Sequence, residues 1–204
     1  MIVPLKAAKN AEIKSKLFEL GIAALKQQGW TVERATDSRK PSERLISRKG
    51  KSLRATIRTS RDGWLAFPLK DADGTQFGPL AKADRVIVVT RDQNDSAFAL
   101  VYDFPGDDIR KRFKEAFEAR KKAGHAVKRH GMWVSLFRRK GQGHPVYTVG
   151  GGVAADTRPI ARVPIEAVEN EPAAALADVI AAAKRQIATA AGVDPSQVRI
   201  SIEA

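Results

Sequence analysis

Three polar side chains alternate with apolar ones around residue 56, in a pattern that could bind anions. Arg54, Thr56 and Arg58 are separated by Ala55 and Ile57, and a period of two puts the three on one face of a half-buried strand. Guanidinium and hydroxyl groups donate hydrogen bonds, and arginine keeps its positive charge at any working pH. The pattern therefore predicts a face that is either solvated or a binding surface.

This strand is the second of three short ones predicted over residues 45–69. The first strand, residues 45–48, ends in a Lys-Gly-Lys turn in which glycine can take a positive φ. An Arg-Asp-Gly turn at 61–63 leads into the third strand, residues 64–69. The rest of the chain is expected to be organised around these three strands.

Residues 56–64, Thr-Ile-Arg-Thr-Ser-Arg-Asp-Gly-Trp, carry a resemblance to a known family. The block resembles the core strand of PD-(D/E)XK nucleases, the restriction-endonuclease-like fold, which reads roughly (Glu/Gln)-Val-Lys-Thr before a Ser-Arg turn and a Trp-containing strand. The resemblance extends over residues 11–137 and puts Thr56 at the acid position and Arg58 at the lysine position. It implies a mixed α/β fold of the α+β kind, with a central mixed sheet flanked by helices.

The same resemblance bears on catalysis. In the family, an upstream Asp and the Glu hold a divalent metal, and the Lys helps to activate the attacking water. Thr56 is a poor ligand for Mg²⁺, and Arg58 cannot act as a base. The expectation is therefore a non-catalytic member with no metal and no cofactor. The alternative is an active Mg²⁺-dependent endonuclease, in which Asp37, Glu43 and Asp62 would have to supply the carboxylates.

The charge of the chain is positive and uneven. The 36 Lys and Arg residues exceed the 23 Asp and Glu residues by 13. Residues 143–204 hold 5 basic and 7 acidic residues, a balance of −2, so that residues 1–142 hold the remaining 31 and 16, a balance of +15. Basic domains of this kind most often bind polyanions. Nucleic acid, with duplex DNA favoured, is the predicted partner, and an acidic protein is the alternative.

Eight cations are the predicted backbone contacts: Lys49, Lys51, Arg54, Arg58, Arg61, Arg110, Lys111 and Lys114. The last three belong to a helix predicted over residues 107–123, capped by Asp107, whose faces outside the apolar stripe also carry Arg112, Arg120, Lys121 and Lys122. Contacts to phosphate provide affinity and register without sequence preference. Trp133, in a strand predicted over residues 132–137, is assigned to the core, with base stacking as the alternative.

The remaining elements suggest a domain with an appendage. A helix is predicted over residues 10–28, and an apolar strand at 85–90 pairs as a hairpin with 98–103. Prolines break regular structure over 156–164, which puts the boundary of a nuclease-like domain at residue 165. Residues 166–204 form an alanine-rich helix and a strand at 198–202. So short an element cannot bury its own core, and it is expected to dock on the domain or on a second copy, as in a homodimer.

Composition excludes several classes of protein. The chain has no cysteine, so that disulfides, thiolate zinc sites and cysteine nucleophiles are ruled out. The start lacks the apolar run of a signal peptide, and no run approaches the roughly 20 residues of a membrane span. A cytoplasmic protein with no membrane partner is expected.

Overall fold

The computed structural model describes residues 5–38, 40–125, 127, 131–138, 145–165, 183–185, 187–188, 191 and 193–200, without the side chains of residues 5–10. The chain divides into two compact units, Met1–Ile165 and Glu166–Ala204. The sheet and the two helices described next belong to the first unit.

The first unit is built on a six-stranded mixed sheet and a separate two-stranded ribbon. In chain order the strands are β1 (Thr31–Arg34), β2 (Glu43–Arg48), β3 (Lys51–Ser60), β4 (Trp64–Phe67), β5 (Arg85–Arg91), β6 (Phe98–Pro105), β7 (Met132–Ser135) and β8 (Ala161–Pro164). The sheet has the order β1-β2-β3-β5-β6-β8, and β4 pairs with β7 in the ribbon. Only the β3–β5 pair of this sheet is parallel.

Two predictions made from the apolar patterns of the central strands are confirmed. Residues 86–90 of β5 are all buried, as expected for a strand that is covered on both faces. The predicted hairpin is also confirmed, because β5 pairs antiparallel with β6. The predicted class, mixed α/β with a central mixed sheet flanked by helices, is therefore confirmed.

Helix α1 (Leu5–Gln27) covers one face of the sheet. Its predicted stripe is buried at Leu17, Leu20 and Ala24. Gly21 lies so close to the sheet that a Cβ atom there would overlap the side chain of Val89. This close approach brings the helix axis near β3 and β5 and thereby sets where the rest of α1 can lie.

The opposite face of the sheet carries helix α2 (Gly106–Lys122) and the ribbon. Phe113 of α2 is fully buried, and its ring makes edge contacts with Phe67 at 5.2 Å and Phe77 at 5.4 Å between centroids. Aromatic residues in such a cluster contribute most of the apolar burial. The main core therefore lies between the sheet, α2 and the ribbon.

Several predicted details are wrong. The third predicted strand, residues 64–69, is present as β4 but ends earlier, at Phe67, and it pairs with β7 outside the six-stranded sheet. The stretch predicted as irregular contains β8, an edge strand in which Pro164 is tolerated because an edge need not donate every ladder hydrogen bond. Helix α2 begins at Gly106 after Pro105, and the Asp107 carboxylate accepts a hydrogen bond from Arg110 and does not cap the helix.

The second unit is described only in part. Most of the predicted alanine-rich helix lies outside the described residues. Asp194 caps a short 3₁₀ turn, Pro195–Gln197, through a hydrogen bond from the Ser196 backbone. Val198 to Ile200, the described part of the predicted C-terminal strand, lie in no strand, and no described strand of this unit pairs with them. Docking of this unit in cis or in a dimer stays a prediction.

Candidate functional site

A cleft of about 1360 Å³ lies beside the second half of β3. It forms where β2 ends: the last β2–β3 pair is Glu43 with Thr56, and Ile57 then donates to the Ser42 carbonyl at 2.8 Å. Beyond that point no described strand continues β2 along this edge of β3. Its walls come from β3, α1, the ribbon and a 3₁₀ turn, Pro145–Thr148.

The ribbon forms one wall because its side chains alternate between two environments. Leu65 and Phe67 of β4 are buried in the core, and the residues between and beside them turn the other way. Cross-strand pairing puts Trp64 opposite Ser135 and Ala66 opposite Trp133. These four residues all line the cleft. Trp133 is 44 % exposed, so its assignment to the core is wrong.

Helix α1 forms another wall through one face of its first half. Ala11, Lys14, Ser15 and Phe18 have the spacing i, i+3, i+4 and i+7, and all four line the cleft. The face of α1 that contacts the sheet lies elsewhere around the helix. The helix therefore serves the core and the cleft at once.

Arg58 is the cation of β3 that the cleft exposes. Its side chain is half-buried, its Nη2 group donates to the Ala66 carbonyl at 2.6 Å, and its guanidinium lies 4.9 Å from the ring centroid of Phe67. Burial lowers the pKa of Arg58, although the guanidinium stays protonated at any working pH. The charge is thus held by a carbonyl and a ring.

Arg120 of α2 is more deeply buried, with only 7 % of its surface exposed. Its Nη2 group donates to the Trp133 carbonyl at 2.6 Å, and its guanidinium lies 5.2 Å from the ring centroid of Tyr147. Its Nε atom has no hydrogen-bond partner among the described residues. Burial lowers the pKa of Arg120 as well.

Cations outnumber carboxylates in the cleft, and Arg58 and Arg120 form no ion pair with a described carboxylate. Of the ionisable side chains that line it, four are cationic and one, Asp62, is acidic, which gives a balance of +3: Lys14, Arg58, Arg61 and Arg120 against Asp62. No ion pair among the described residues involves Arg58 or Arg120. A buried charge without a partner of opposite sign is costly, and an anion bound in the cleft would reduce that cost.

The other predicted residues of the central strand are not in the cleft. Thr56 is fully buried, so the polar strand face is not continuous. Arg54 forms ion pairs with Asp37 and with Glu43, the latter at 3.2 Å. The hydrogen bond from Arg54 lowers the pKa of Asp37. The positive charge of Arg54 is therefore already balanced within the protein.

The remaining predicted contacts are dispersed. Lys49 and Lys51 are exposed at the β2–β3 turn, at the opposite end of β3 from the cleft. Arg110 donates to the Leu80 and Ala83 carbonyls at 2.8 and 2.7 Å. Lys111 and Lys114 are exposed on α2, where Lys114 lies 3.9 Å from Glu118. Of the eight predicted contacts, only Arg58 and Arg61 line the cleft.

The carboxylates of the nuclease alternative are also separated. Asp37 and Glu43 meet at Arg54, whereas Asp62 accepts hydrogen bonds from Ser60 and from the Trp64 backbone. Residues 54 and 60 are about 20 Å apart at the rise of a strand. Within the described part of the chain, no group of three His, Cys, Asp or Glu side chains is placed to hold a metal ion.

Three residues were not predicted to lie in the cleft: Lys14, Arg120 and Tyr147. The prediction that Arg120 lies outside the apolar stripe of its helix is wrong, because its side chain is buried. Arg120 follows Phe113 and Ala116 at helical spacing, on the buried stripe of α2, and this position was the available signal. The alternation of Trp133 with Met132 and Val134 was a similar signal. Lys14 and Tyr147 had none, because their place in the cleft depends on tertiary packing.

Comparisons with known proteins do not assign the chain to a family. No family model matches the sequence, and no curated protein matches it. Among solved structures the chain is similar to a bacterial homing endonuclease at 13 % identity, over 67 % of this chain and 83 % of the other, with a TM-score of 0.31. A likeness of this size carries no argument, so membership of the PD-(D/E)XK family stays a prediction. In the part of the chain that the structure describes, no helix has the length and apolar character needed to cross a bilayer.

Proposed function

We propose that this protein binds nucleic acid without cleaving it, with duplex DNA as the favoured partner, and that the cleft beside β3 contacts the phosphate backbone. The proposal is carried by Arg58 and Arg120, two desolvated arginines that no described carboxylate neutralises. Phosphate matches the guanidinium group in charge and in hydrogen-bond geometry.

The distribution of charge supports a polyanion as the partner. The excess of +15 lies within residues 1–142, which supply nearly all of the cleft, including its four cations. The cations of the cleft differ in burial: Lys14 and Arg61 are exposed and Arg58 is half-buried. All of them line one concave surface. Such a surface would attract a phosphate backbone and hold it by charge-assisted hydrogen bonds.

Binding without cleavage follows from the residues at the two positions that resemble a nuclease motif. Thr56 is buried in the sheet and cannot reach a metal ion in the cleft. Arg58 lies over the Phe67 ring and stays protonated, so it cannot remove a proton from water. Cleavage of DNA with Mg²⁺ or Mn²⁺ that depends on Asp37 would contradict the proposal.

Two charge-matched double variants test the position of the interface. The first is Lys14→Gln with Arg58→Gln in the cleft, and the second is Lys111→Gln with Lys114→Gln on α2. Each removes two positive charges, so a general effect of net charge on binding is equal in both. Duplex binding is measured over a range of salt concentrations for the two variants and the parent protein.

We expect the cleft pair to weaken binding to all duplex sequences by a similar factor. It should lower the slope of log K against log salt by nearly 2, because each lost phosphate contact removes about 0.9. The α2 pair should change the slope much less. The reverse result would move the interface to α2, and absence of binding to any nucleic acid at low salt would refute the proposed function.

A further inference from the structure

The aromatic residues of the cleft are not explained by contacts to phosphate alone. Trp133 and Tyr147 are 44 % and 41 % exposed, and both line the cleft. In the β4–β7 register Trp133 is the diagonal neighbour of Trp64 on one face, at a separation of about 7–8 Å that long aromatic side chains can span. Trp133 thus exposes an aromatic ring on a concave, positively charged surface, beside the partly exposed ring of Tyr147, which contacts Arg120 and His125.

An intact duplex cannot use these planes. Its bases are stacked, so it offers base edges, sugars and phosphates to a protein surface. The ring of a tryptophan or tyrosine stacks on a base only after that base has left the helical stack, as in single strands, strand ends and flipped nucleotides. The exposed rings therefore fit a ligand with unstacked bases.

Arg120 provides a charge beside these rings. It is bound to the Trp133 carbonyl and lies over the Tyr147 ring, with 7 % of its surface exposed. Only a slender group that enters the cleft could approach so buried a cation. The cleft, at about 1360 Å³, exceeds the ~300–1,000 Å³ of ordinary small-molecule pockets and has room for part of a strand.

We propose that the cleft takes an unstacked nucleotide of a DNA strand, supplied by a strand end or a single-stranded extension, with its base on Trp133 or Tyr147 and its phosphate beside Arg58 and Arg120. This inference rests on the proposed function and narrows it, because a strand end or single-stranded extension replaces the intact duplex as the form of DNA that the same site binds most tightly. A free nucleotide offers the same base and phosphate groups, and the experiment below distinguishes it from a strand.

The experiment compares four DNA probes: a single strand, the blunt duplex of the same sequence, that duplex with a short single-stranded extension, and deoxyadenosine monophosphate. Affinity is measured by titration, and stacking by quenching of tryptophan fluorescence. Two of the three tryptophans, Trp64 and Trp133, line the cleft, so Trp30→Phe leaves emission from the cleft alone. Trp133→Ala and Tyr147→Ala change exposed side chains, and Trp133→Phe keeps an aromatic plane.

We expect the single strand and the extended duplex to bind more tightly than the blunt duplex and to quench the emission. Trp133→Ala should weaken their binding about tenfold or more, with recovery in Trp133→Phe and little change for the blunt duplex. Equal binding of blunt and extended duplexes, unchanged by Trp133→Ala, would refute this inference and leave the proposed function in place.

Two other outcomes have separate meanings. If deoxyadenosine monophosphate binds as tightly as the single strand and with the same dependence on Trp133, the ligand is a free nucleotide, and the proposal of a DNA strand is refuted. No binding of any probe at low salt would refute both proposals, and binding of poly-glutamate would then identify an acidic protein as the partner.

Discussion

Replacing Arg58 with methionine should separate binding from stability. Arg58→Met removes a charge that no described carboxylate balances, and it keeps an unbranched apolar side chain over the Phe67 ring. If the arginine is retained for a ligand, its loss should weaken binding in the cleft and leave the free energy of unfolding almost unchanged.

The size of the stability effect follows from the contacts of Arg58. Its hydrogen bond to the Ala66 carbonyl contributes about 1.5–3 kcal/mol for a charged donor, and its contact with Phe67 about 1–2 kcal/mol. The effective penalty for desolvating an ion is several kcal/mol, which offsets these gains. Methionine adds a sulfur–aromatic contact of about 0.3–1.5 kcal/mol. We therefore expect a change within about 1 kcal/mol of zero.

The assay is urea unfolding of each protein, with and without a single-stranded oligonucleotide. At about 100 times its Kd, a ligand raises the free energy of unfolding by about 2.7 kcal/mol, and Arg58→Met should lose most of this increase. Leu65→Ala is the control on the core side of the same ribbon. Leu65 is 1 % exposed, so its truncation should cost about 2–5 kcal/mol and leave the ligand effect intact.

Two results would refute the reasoning about Arg58. If Arg58→Met lowers the free energy of unfolding by more than about 2 kcal/mol, the guanidinium is a structural group whose charge the fold already accommodates. If the variant is as stable as the parent and retains the full ligand effect, the cleft charge does not contribute to binding. In either case the interface would have to be sought elsewhere on the basic unit.

Three further predictions concern stability. The hydrogen bond from Arg162 lowers the pKa of buried Asp92. This pair should therefore stabilise the fold above the ordinary aspartate pKa of about 4 and lose its effect as the pH falls through the lower pKa of the folded state. In Arg162→Gln, the free energy of unfolding should fall less steeply as the pH is lowered through this range. Gly74→Ala would push a Cβ atom into the Phe117 ring of α2 at a positive φ and should lower the free energy of unfolding by about 2 kcal/mol or more. Gly124→Ala, also at positive φ but in open space, should lower it by only about 1 kcal/mol, and equal losses would contradict the steric argument. Removal of residues 170–204 should lower the melting temperature or break a dimer, and a soluble monomer of unchanged heat stability would contradict the docking prediction.

The parts of the fold that could be predicted are those with local patterns. Period-two alternation locates β3, and a continuous apolar run locates β5 and its hairpin with β6. The departure of β4 from the sheet has no local signal, because its partner β7 lies more than sixty residues away along the chain. Pairing of a short strand depends on which surface is free after the core has formed.

Of the cations that line the candidate site, only Arg58 and Arg61 were predicted as contacts, and Trp133 was predicted there only as an alternative. The alternation that put Arg54 with Arg58 was correct about the strand face, but it could not show that Asp37 and Glu43 already neutralise Arg54. Ion pairs between a loop and a strand depend on how the fold places the two segments, and residue spacing along one strand gives no information on that. Charge patterns therefore located the basic unit of the chain and did not locate the cleft within it.

Arg120 illustrates what a helical pattern can reveal when a charge interrupts it. Phe113, Ala116 and Arg120 follow one another on the face of α2 that contacts the core, so the arginine is carried inward by the same spacing that buries the phenylalanine. Replacing a buried ion pair with apolar residues of similar size is often neutral or stabilising, so a stable core does not require a buried charge at such a position. Under the proposed function, a phosphate group supplies the missing negative charge, and the cleft that Arg120 lines is where it would bind.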